Sequence, residues 1–155
     1  QDDAYKTVRR LVAIDSPNHG IINCSGEATN YYQLAAFGGF TPNSVFRSQA
    51  LGRSLKGKPS SWISTSQHTE GRACDVEIVA KPTLELARWA ATTLADFDQI
   101  ICECYDPRKG PNSGWVHVSL LPPGAGRNRR QVLSYVVDAA SGRLVYVDGL
   151  RTSEA

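Results

Sequence analysis

Residues 75–105 read DVEIVAKPTLELARWAATTLADFDQIICECY, and this stretch predicts a strand, a helix and a second strand in succession. The first strand is predicted over DVEIVA (75–80). Pro82 stands where a helix can begin, and TLELARWAATTLADF (83–97) repeats apolar residues at helical spacing. DQIICECY (98–105) predicts the second strand. The apolar face of the predicted helix consists of Leu84, Ala87, Ala91 and Leu94.

Two further strand signals follow this unit. WVHVSLL (115–121) is an alternating apolar stretch, which is typical of a strand. QVLSYVVDAASGRLVYVDG (131–149) has two β-branched runs around Ala-Ser-Gly, a pattern that predicts a β-hairpin. Segments with Pro and Gly, 106–114 and 122–128, separate these predicted strands.

The part of the chain before residue 75 carries a weaker pattern. Residues 4–13 and 27–37 show helical spacing, residues 43–56 are ambiguous, and residues 57–67 predict mostly loop. Helices followed by strands predict an α+β fold. We expect a mainly antiparallel sheet with helices packed on it and one long helix inserted among the strands.

Length and charge narrow the class of protein. A chain of 155 residues predicts a single domain, 1–155, with an N-terminal helical part over about 1–58 and a motif-bearing sheet part over about 59–150. The net charge of +2, without a dense Lys/Arg run, predicts no nucleic-acid partner. Arg129 and Arg130 are interpreted as solvated. No run is long enough for a membrane span, and the first ten residues hold no apolar segment of a secretory signal.

The four cysteines, Cys24, Cys74, Cys102 and Cys104, are predicted to be free thiols. Cys102 and Cys104 lie on one predicted strand, where their spacing does not favour a disulfide between them. The sequence contains no C-x-x-C pair, so a structural zinc finger is not expected.

Two of the three histidines lie in settings that suggest a metal site. SQHTEGRACD (66–75) separates His68 from Asp75 by seven positions, and Gly71 between them permits a tight turn. His117 lies on the predicted strand WVHVSLL. Two histidines and one carboxylate match the three protein ligands of a catalytic zinc site, which leaves the fourth position to water.

These residues also have an interpretation that involves no metal. His-x6-Asp alone is a weak pattern, and a buried histidine is more often a hydrogen-bonded core residue than a ligand. His19, in PNHG, is interpreted as a surface-turn histidine. The wider sequence around His68 and His117 favours the metal site.

The pattern S-x-H-x-x-G-x-A-x-D over 66–75, followed by WVHVS, resembles the zinc D-Ala-D-Ala carboxypeptidase family of cell-wall peptidases and phage endolysin peptidases. FDQIICE also resembles the family's strand ending in Glu. The resemblance covers the chain from about residue 43 to its C-terminus. It implies the fold shared with lysostaphin-type enzymes and the hedgehog domain, and it implies His68, Asp75 and His117 as the ligands of Zn²⁺.

The resemblance also implies catalytic residues. Many members have an acidic general base three residues before the last histidine, where this chain has Gly114. Phage-type members use a Glu on the preceding strand, which makes Glu103 the candidate base; an edge-strand Glu facing water is the alternative. Arg47, in SVFRS, is the candidate for stabilising the oxyanion or binding a substrate carboxylate, with a solvated helix residue as the alternative. Ser66 either holds the substrate carboxylate or orients its loop.

The function implied by the resemblance is zinc-dependent hydrolysis of peptidoglycan stem peptides by a phage lysin. Both a D-Ala-D-Ala carboxypeptidase and an L-Ala-D-Glu-type endopeptidase fit. Such an enzyme would reside in the host cytoplasm before release, or in the virion beside phage tail proteins, and would act at the bacterial cell wall. The alternative is a non-catalytic zinc-binding or phage tail structural module with the same fold.

Overall fold

The computed structural model describes residues 41–44, 46–94, 96–121 and 124–151. The strands are β1 (Thr41–Ser44), β2 (Ala73–Glu77), β3 (Gln99–Glu103), β4 (Trp115–Ser119), β5 (Gln131–Val137) and β6 (Leu144–Asp148). The α-helices are α1 (Gln49–Lys56) and α2 (Thr83–Thr93). Two short 3₁₀ turns span Gln67–Glu70 and Pro107–Lys109.

The strands form one mixed sheet in the order β1-β2-β4-β3-β5-β6. Every neighbouring pair is antiparallel except β3 and β5, which run parallel. The predicted α+β class is confirmed, and β5 and β6 form the predicted hairpin. The parallel pair was not expected. It arises because β4 pairs with one edge of β3 and leaves the other edge free for β5.

Alternation along the strands gives the sheet two chemically different faces. One face packs against α2 and forms the hydrophobic core, whereas Asp75, Glu103 and His117 alternate to the other face. Buried core residues from the strands are Cys74, Val76, Ile100, Cys102, Val116 and Val118. Those from the helix are Leu84, Leu86, Ala87 and Ala90. The same strands therefore supply both the core and the polar face.

Helix α2 begins after Pro82, as expected, but ends at Thr93 and not at residue 97. Leu94 leaves helical geometry with φ −64° and ψ 129°. Its side chain is buried in the core, so packing against the sheet ends the helix before the apolar periodicity does. The predicted apolar face is buried at Leu84, Ala87 and Leu94 and half-buried at Ala91.

The strands over 75–80, 98–105 and 115–121 are present but with different bounds. Strand β2 starts at Ala73, because the hydrogen-bonded ladder with β4 begins at the pair Ala73 and Ser119. Strands β3 and β4 are shorter than expected, since both end where their mutual pairing ends.

The ambiguous segment 43–56 contains the end of β1 and all of α1. Ser48 caps α1 by accepting a hydrogen bond from the backbone N–H of Leu51, and Gly57 ends it in a left-handed conformation with φ 58°. The helices predicted over 4–13 and 27–37 lie outside the described residues, as does His19.

Three of the four cysteines lie in the described chain, and all three are free thiols, as expected: Cys74, Cys102 and Cys104. Burial raises the pKa of Cys102 to about 12, so this thiol stays protonated and acts as a core residue. Cys24 lies outside the described residues. No helix in the described ranges has the length and apolar character that crossing a membrane requires.

Leu86 and Leu55 provide a matched test of the core. Leu86 of α2 is 1% exposed, whereas Leu55 of α1 is 65% exposed. We expect Leu86→Ala to lower the free energy of unfolding by about 2–5 kcal/mol through lost burial and a residual cavity. Leu55→Ala should change it by no more than about 0.5 kcal/mol. Urea denaturation measures both values, and equal losses would contradict the packing of α2 on the sheet.

Candidate metal centre

The turn that carries His68 is built by the sequence around it. Ser66 is extended, Gln67–Glu70 form a 3₁₀ turn, and Gly71 adopts φ 70°, a left-handed conformation that glycine accepts without strain. The N–H of Arg72 then donates to the carbonyl of Gln67 at 3.1 Å, and β2 begins at the next residue. The tight turn expected at Gly71 is present, and it folds His68 back over β2.

His68, Asp75 and His117 converge on one point. Asp75 and His117 lie directly opposite each other in the β2–β4 ladder. His68 Nε2 lies 3.2 Å from both Asp75 Oδ1 and His117 Nδ1, and His117 Nδ1 lies 3.1 Å from Asp75 Oδ1. All three residues are buried. Within the described ranges, they are the one group of three or more potential metal-ligating side chains that meets in this way.

The protonation pattern of this cluster suits a cation. His117 Nε2 lies 2.9 Å from Gln67 Oε1, which only accepts hydrogen bonds, so the ring proton sits on Nε2. In the neutral ring, Nδ1 then presents a lone pair to the carboxylate oxygen of Asp75. Two buried acceptors at this distance repel each other unless a proton or a metal ion lies between them.

The charge state of Asp75 also favours a bound cation. Burial would raise the pKa of Asp75, but its contacts with His117 and His68 outweigh this effect and hold the pKa at about 2. Asp75 is therefore an anionic carboxylate at neutral pH. An anion with two imidazoles is a donor set for a divalent transition metal.

The spacing of the three atoms also fits a small cation. Four ligands arranged tetrahedrally at about 2.0–2.1 Å from a metal lie about 3.3–3.4 Å apart. The separations of 3.1–3.2 Å among the three atoms are close to this value. The site could therefore hold a metal ion through three protein ligands.

Glu103 lies beside this cluster. Its Oε1 is 4.0 Å from His117 Nδ1, and its Oε2 accepts a hydrogen bond from Trp115 Nε1 at 3.1 Å. Strand β3 has β4 on one side and β5 on the other, so Glu103 is not an edge-strand residue, and its side chain is 15% exposed. Burial raises the pKa of Glu103; the field of His117 opposes this shift and that of Asp75 adds to it.

Gly114, three residues before His117, stands where no side chain would fit. Gly114 adopts φ 69°, and a Cβ there would lie 2.7 Å from the backbone nitrogen of Tyr105 and nearer still to the carbonyl oxygen of Glu103. No side chain fits this place, where the chain passes close to the end of β3. The carboxylate that lies beside the cluster is that of Glu103, on β3.

Arg47 lies next to the cluster, before α1 begins, so the interpretation as a solvated helix residue is wrong. Its backbone N–H donates to the carbonyl of His68 at 3.0 Å, and its Nη2 donates to Ser44 Oγ at 3.0 Å. Ser44 Oγ in turn lies 3.5 Å from His68 Nδ1. Arg47 is thus held beside His68, and its side chain is half-buried.

Ser66 is near the cluster through its backbone. Its side chain does not cap the 3₁₀ turn, whereas its carbonyl accepts hydrogen bonds from the backbone N–H and the hydroxyl of Thr69 at 2.9 and 2.6 Å. Of the two expected roles of Ser66, these contacts fit orientation of the loop.

Four polar residues that support the cluster were not predicted from the sequence: Ser44, Gln67, Asp98 and Arg129. Asp98 is 1% exposed, and Arg129 binds it through Nε at 2.9 Å and Nη2 at 2.5 Å. The hydrogen bonds from Arg129 lower the pKa of Asp98. Arg129 is exposed, as expected, and its guanidinium also binds the buried carboxylate of Asp98. An acid immediately before a buried strand is the one signal that could have indicated Asp98.

A row of aromatic side chains extends from the cluster across the sheet. The ladder aligns Trp115, Glu103, Tyr135 and Tyr146 on β4, β3, β5 and β6. The rings of Tyr135 and Tyr146 stack with centroids 4.4 Å apart, and Tyr146 is 59% exposed. Partial burial, followed by the charge of Glu103, raises the pKa of Tyr146 to about 12. The cluster is thus continuous with an accessible aromatic surface.

Comparison of the chain with protein-family models found no match, and comparison with curated proteins found none either. The residues present are chemically suited to two tasks. A buried His-Asp-His set can bind a metal ion, and a partly accessible carboxylate beside it can exchange protons with a molecule at the site.

Gly114 gives a prediction for the loop before β4. Gly114→Ala should lower the free energy of unfolding by more than about 1 kcal/mol, because it combines positive φ with a steric overlap. Gly149→Ala is the control, since Gly149 has a similar φ of 75° but open space where a Cβ would lie. Thermal or urea unfolding compares the two variants. Equal destabilisation would contradict the close approach of Gly114 to the backbone of β3.

Asp75 gives a prediction for metal binding. We expect the purified chain, reconstituted with zinc, to bind about one equivalent with three protein ligands. Asp75→Asn should bind zinc much more weakly, because it removes the anionic ligand. Asp148→Asn is the matched control on β6, which is separated from β2 by three strands in the sheet order. Isothermal titration and elemental analysis measure both. Tight binding by Asp75→Asn would exclude Asp75 as a ligand.

Proposed function

We propose that this domain is a zinc-dependent peptidase that hydrolyses peptide bonds in the stem peptides of peptidoglycan. The observation that carries the proposal is the position of Glu103, whose carboxylate lies 4.0 Å from a nitrogen of a buried His-Asp-His cluster. A structural metal site has no need of a further carboxylate with partial access to solvent. The sequence resemblance to zinc D-Ala-D-Ala carboxypeptidases supports the choice of peptidoglycan.

His68, Asp75 and His117 would hold the zinc ion. When bound, zinc supplies Lewis-acid chemistry, which polarises a carbonyl group and lowers the pKa of water towards about 7. Three protein ligands leave a coordination position open for chemistry. This is the arrangement of a catalytic site, whereas structural zinc sites are closed by four protein ligands.

Glu103 would act as the general base and then as the general acid. The hydrogen bond from Trp115 Nε1 holds Oε2, which leaves Oε1 directed towards the cluster. Burial raises the pKa of Glu103 above its usual value, which suits a group that takes a proton from water and returns it to the leaving amine. In the peptide bond that breaks, the carbonyl carbon gains the water oxygen and the amine nitrogen gains the proton.

Arg47 would contribute positive charge near His68. Its guanidinium is held by Ser44, which itself approaches His68. A planar guanidinium can stabilise a developing oxyanion or bind a substrate carboxylate with two hydrogen bonds. Stem peptides carry free carboxylates, so a cation beside the metal suits this class of substrate.

The substrate would lie along the aromatic row. Tyr135 and Tyr146 form the accessible surface next to Glu103, and their rings can pack against apolar or planar groups of a bound peptide. Carboxypeptidase and endopeptidase cleavage both suit this open face. As a lysin, free or assembled with tail proteins in a virion, the domain would act at the bacterial cell wall.

Glu103→Gln tests the proposed function. The variant should keep zinc affinity but hydrolyse purified peptidoglycan about 10²–10⁴-fold more slowly, because it loses the proton-transfer group and keeps the shape. Glu77→Gln, an exposed site on β2, is the matched control and should retain wild-type activity. Mass spectrometry of the released fragments identifies the bond that is cleaved.

The same experiment separates the non-catalytic alternative. A wild-type chain that binds zinc tightly but releases no fragments from peptidoglycan would be a zinc-binding module. Normal hydrolysis by Glu103→Gln would instead preserve the peptidase and exclude Glu103 as its base.

A further inference from the structure

We propose that Gln67, held by Asp98 and Arg129, is a positioning residue that fixes the tautomer of His117 and so selects Nδ1 as its metal-binding atom. This inference rests on the metal site of the proposed function and does not require the peptidase activity. It concerns a chain of buried polar contacts that runs from the metal cluster to the far end of β3.

The chain begins at the ring of His117. His117 Nε2 lies 2.9 Å from Gln67 Oε1, and Gln67 Nε2 donates to Asp98 Oδ2 at 2.7 Å. Gln67, Asp98 and His117 are all buried. The side-chain amide of Gln67 thus bridges an imidazole and a carboxylate in the protein interior.

The orientation of this amide is determined by Asp98. Arg129 donates to both oxygens of Asp98, through Nε and its backbone N–H to Oδ1 and through Nη2 to Oδ2. Arg72 Nη1 lies 3.6 Å from Oδ2. Two guanidinium groups keep Asp98 ionised, and an ionised carboxylate accepts hydrogen bonds but cannot donate them.

The orientation of the Gln67 amide determines which nitrogen of His117 carries the proton. Because Asp98 can only accept, the NH₂ group of Gln67 must face it, and the amide oxygen must face His117. That oxygen can only accept, so His117 has to carry its proton on Nε2. The lone pair of the neutral ring is then on Nδ1, which is the atom that faces Asp75 Oδ1 and His68 Nε2.

Such a contact is expected to affect metal affinity. A histidine ligand binds a metal through one nitrogen, and a hydrogen bond at the other nitrogen orients the ring and makes the ligand more basic. Loss of such a partner typically costs about 10–100-fold in metal affinity. A role of Gln67 in core packing alone would lower the stability of the fold without this loss.

The experiment compares Gln67→Leu with the matched control Gln99→Leu. Gln99 is a half-buried glutamine whose amide donates to Gln131 at 2.8 Å, away from the cluster. Zinc dissociation constants are measured by competition with a chromophoric chelator, on variants whose folding is checked by thermal unfolding. We expect Gln67→Leu to weaken zinc binding about 10–100-fold and Gln99→Leu to leave it unchanged.

A second measurement needs no variant. In ¹⁵N-labelled, zinc-loaded wild-type protein, a long-range ¹H–¹⁵N spectrum should show His117 protonated on Nε2, with slow exchange of that proton because its partner is buried. A proton on Nδ1 of His117 would overturn the proposal, whatever the variants do.

The outcomes separate this inference from the peptidase. Equal zinc affinity in Gln67→Leu and wild type would refute the positioning role and leave the proposed function intact. If Gln67→Leu binds zinc more weakly than wild type, and wild type does not hydrolyse peptidoglycan, the positioning role is supported and the peptidase is refuted. Absence of zinc binding in wild type would refute both.

Discussion

The pairing of Asp75 with His117 across β2 and β4 is the constraint on which the site depends. These residues are directly opposite in the ladder, and their side chains meet at 3.1 Å in the protein interior. A buried carboxylate is costly unless a positive charge or hydrogen-bond donors compensate it. The surrounding polar residues therefore either converge on this pair, as His68 does, or hold it in place, as Gln67 does.

Strand alternation makes the core and the site depend on each other. On β4, Val116 and Val118 are buried against α2, and His117 between them points to the opposite face. A shift of one residue in the β2–β4 register would place the imidazole in the apolar core and a valine at the cluster. The apolar residues that stabilise the sheet thus also determine the register that brings Asp75 and His117 together.

The sequence predicted the parts of this fold that depend on local periodicity. Helix α2, the hairpin of β5 and β6, and the left-handed turn at Gly71 are all signalled by residues close together in the chain. The bounds were less accurate, because a strand ends where its partner ends, as β3 and β4 do. The parallel pairing of β3 with β5 is a choice between sheet edges, and no local pattern in either strand encodes it.

The residues of the candidate site also fall into two groups: those that a local sequence pattern predicts, and those that only the assembled sheet brings together. His68 and Asp75 share one short motif, and His117 lies in a second, so their residue types and spacing could be recognised. Gln67 and Asp98 are 31 positions apart, and Gln67 and His117 are 50 apart, so their contacts follow only from the assembled sheet. An amide that bridges an imidazole and a carboxylate has no sequence pattern of its own.

Glu103 and Gly114 meet at one close contact between the end of β3 and the residue before β4. Just before β4 begins, the backbone passes so close to the end of β3 that only glycine fits at position 114. Because of this contact, an acidic side chain cannot fit three residues before His117. The same contact brings the end of β3 beside His117. Glu103 is paired with Trp115 in the ladder, and the indole N–H holds its carboxylate towards the cluster. Both positions are therefore tied to one backbone contact, and a substitution that introduced an acid at position 114 would displace the strand end that carries Glu103.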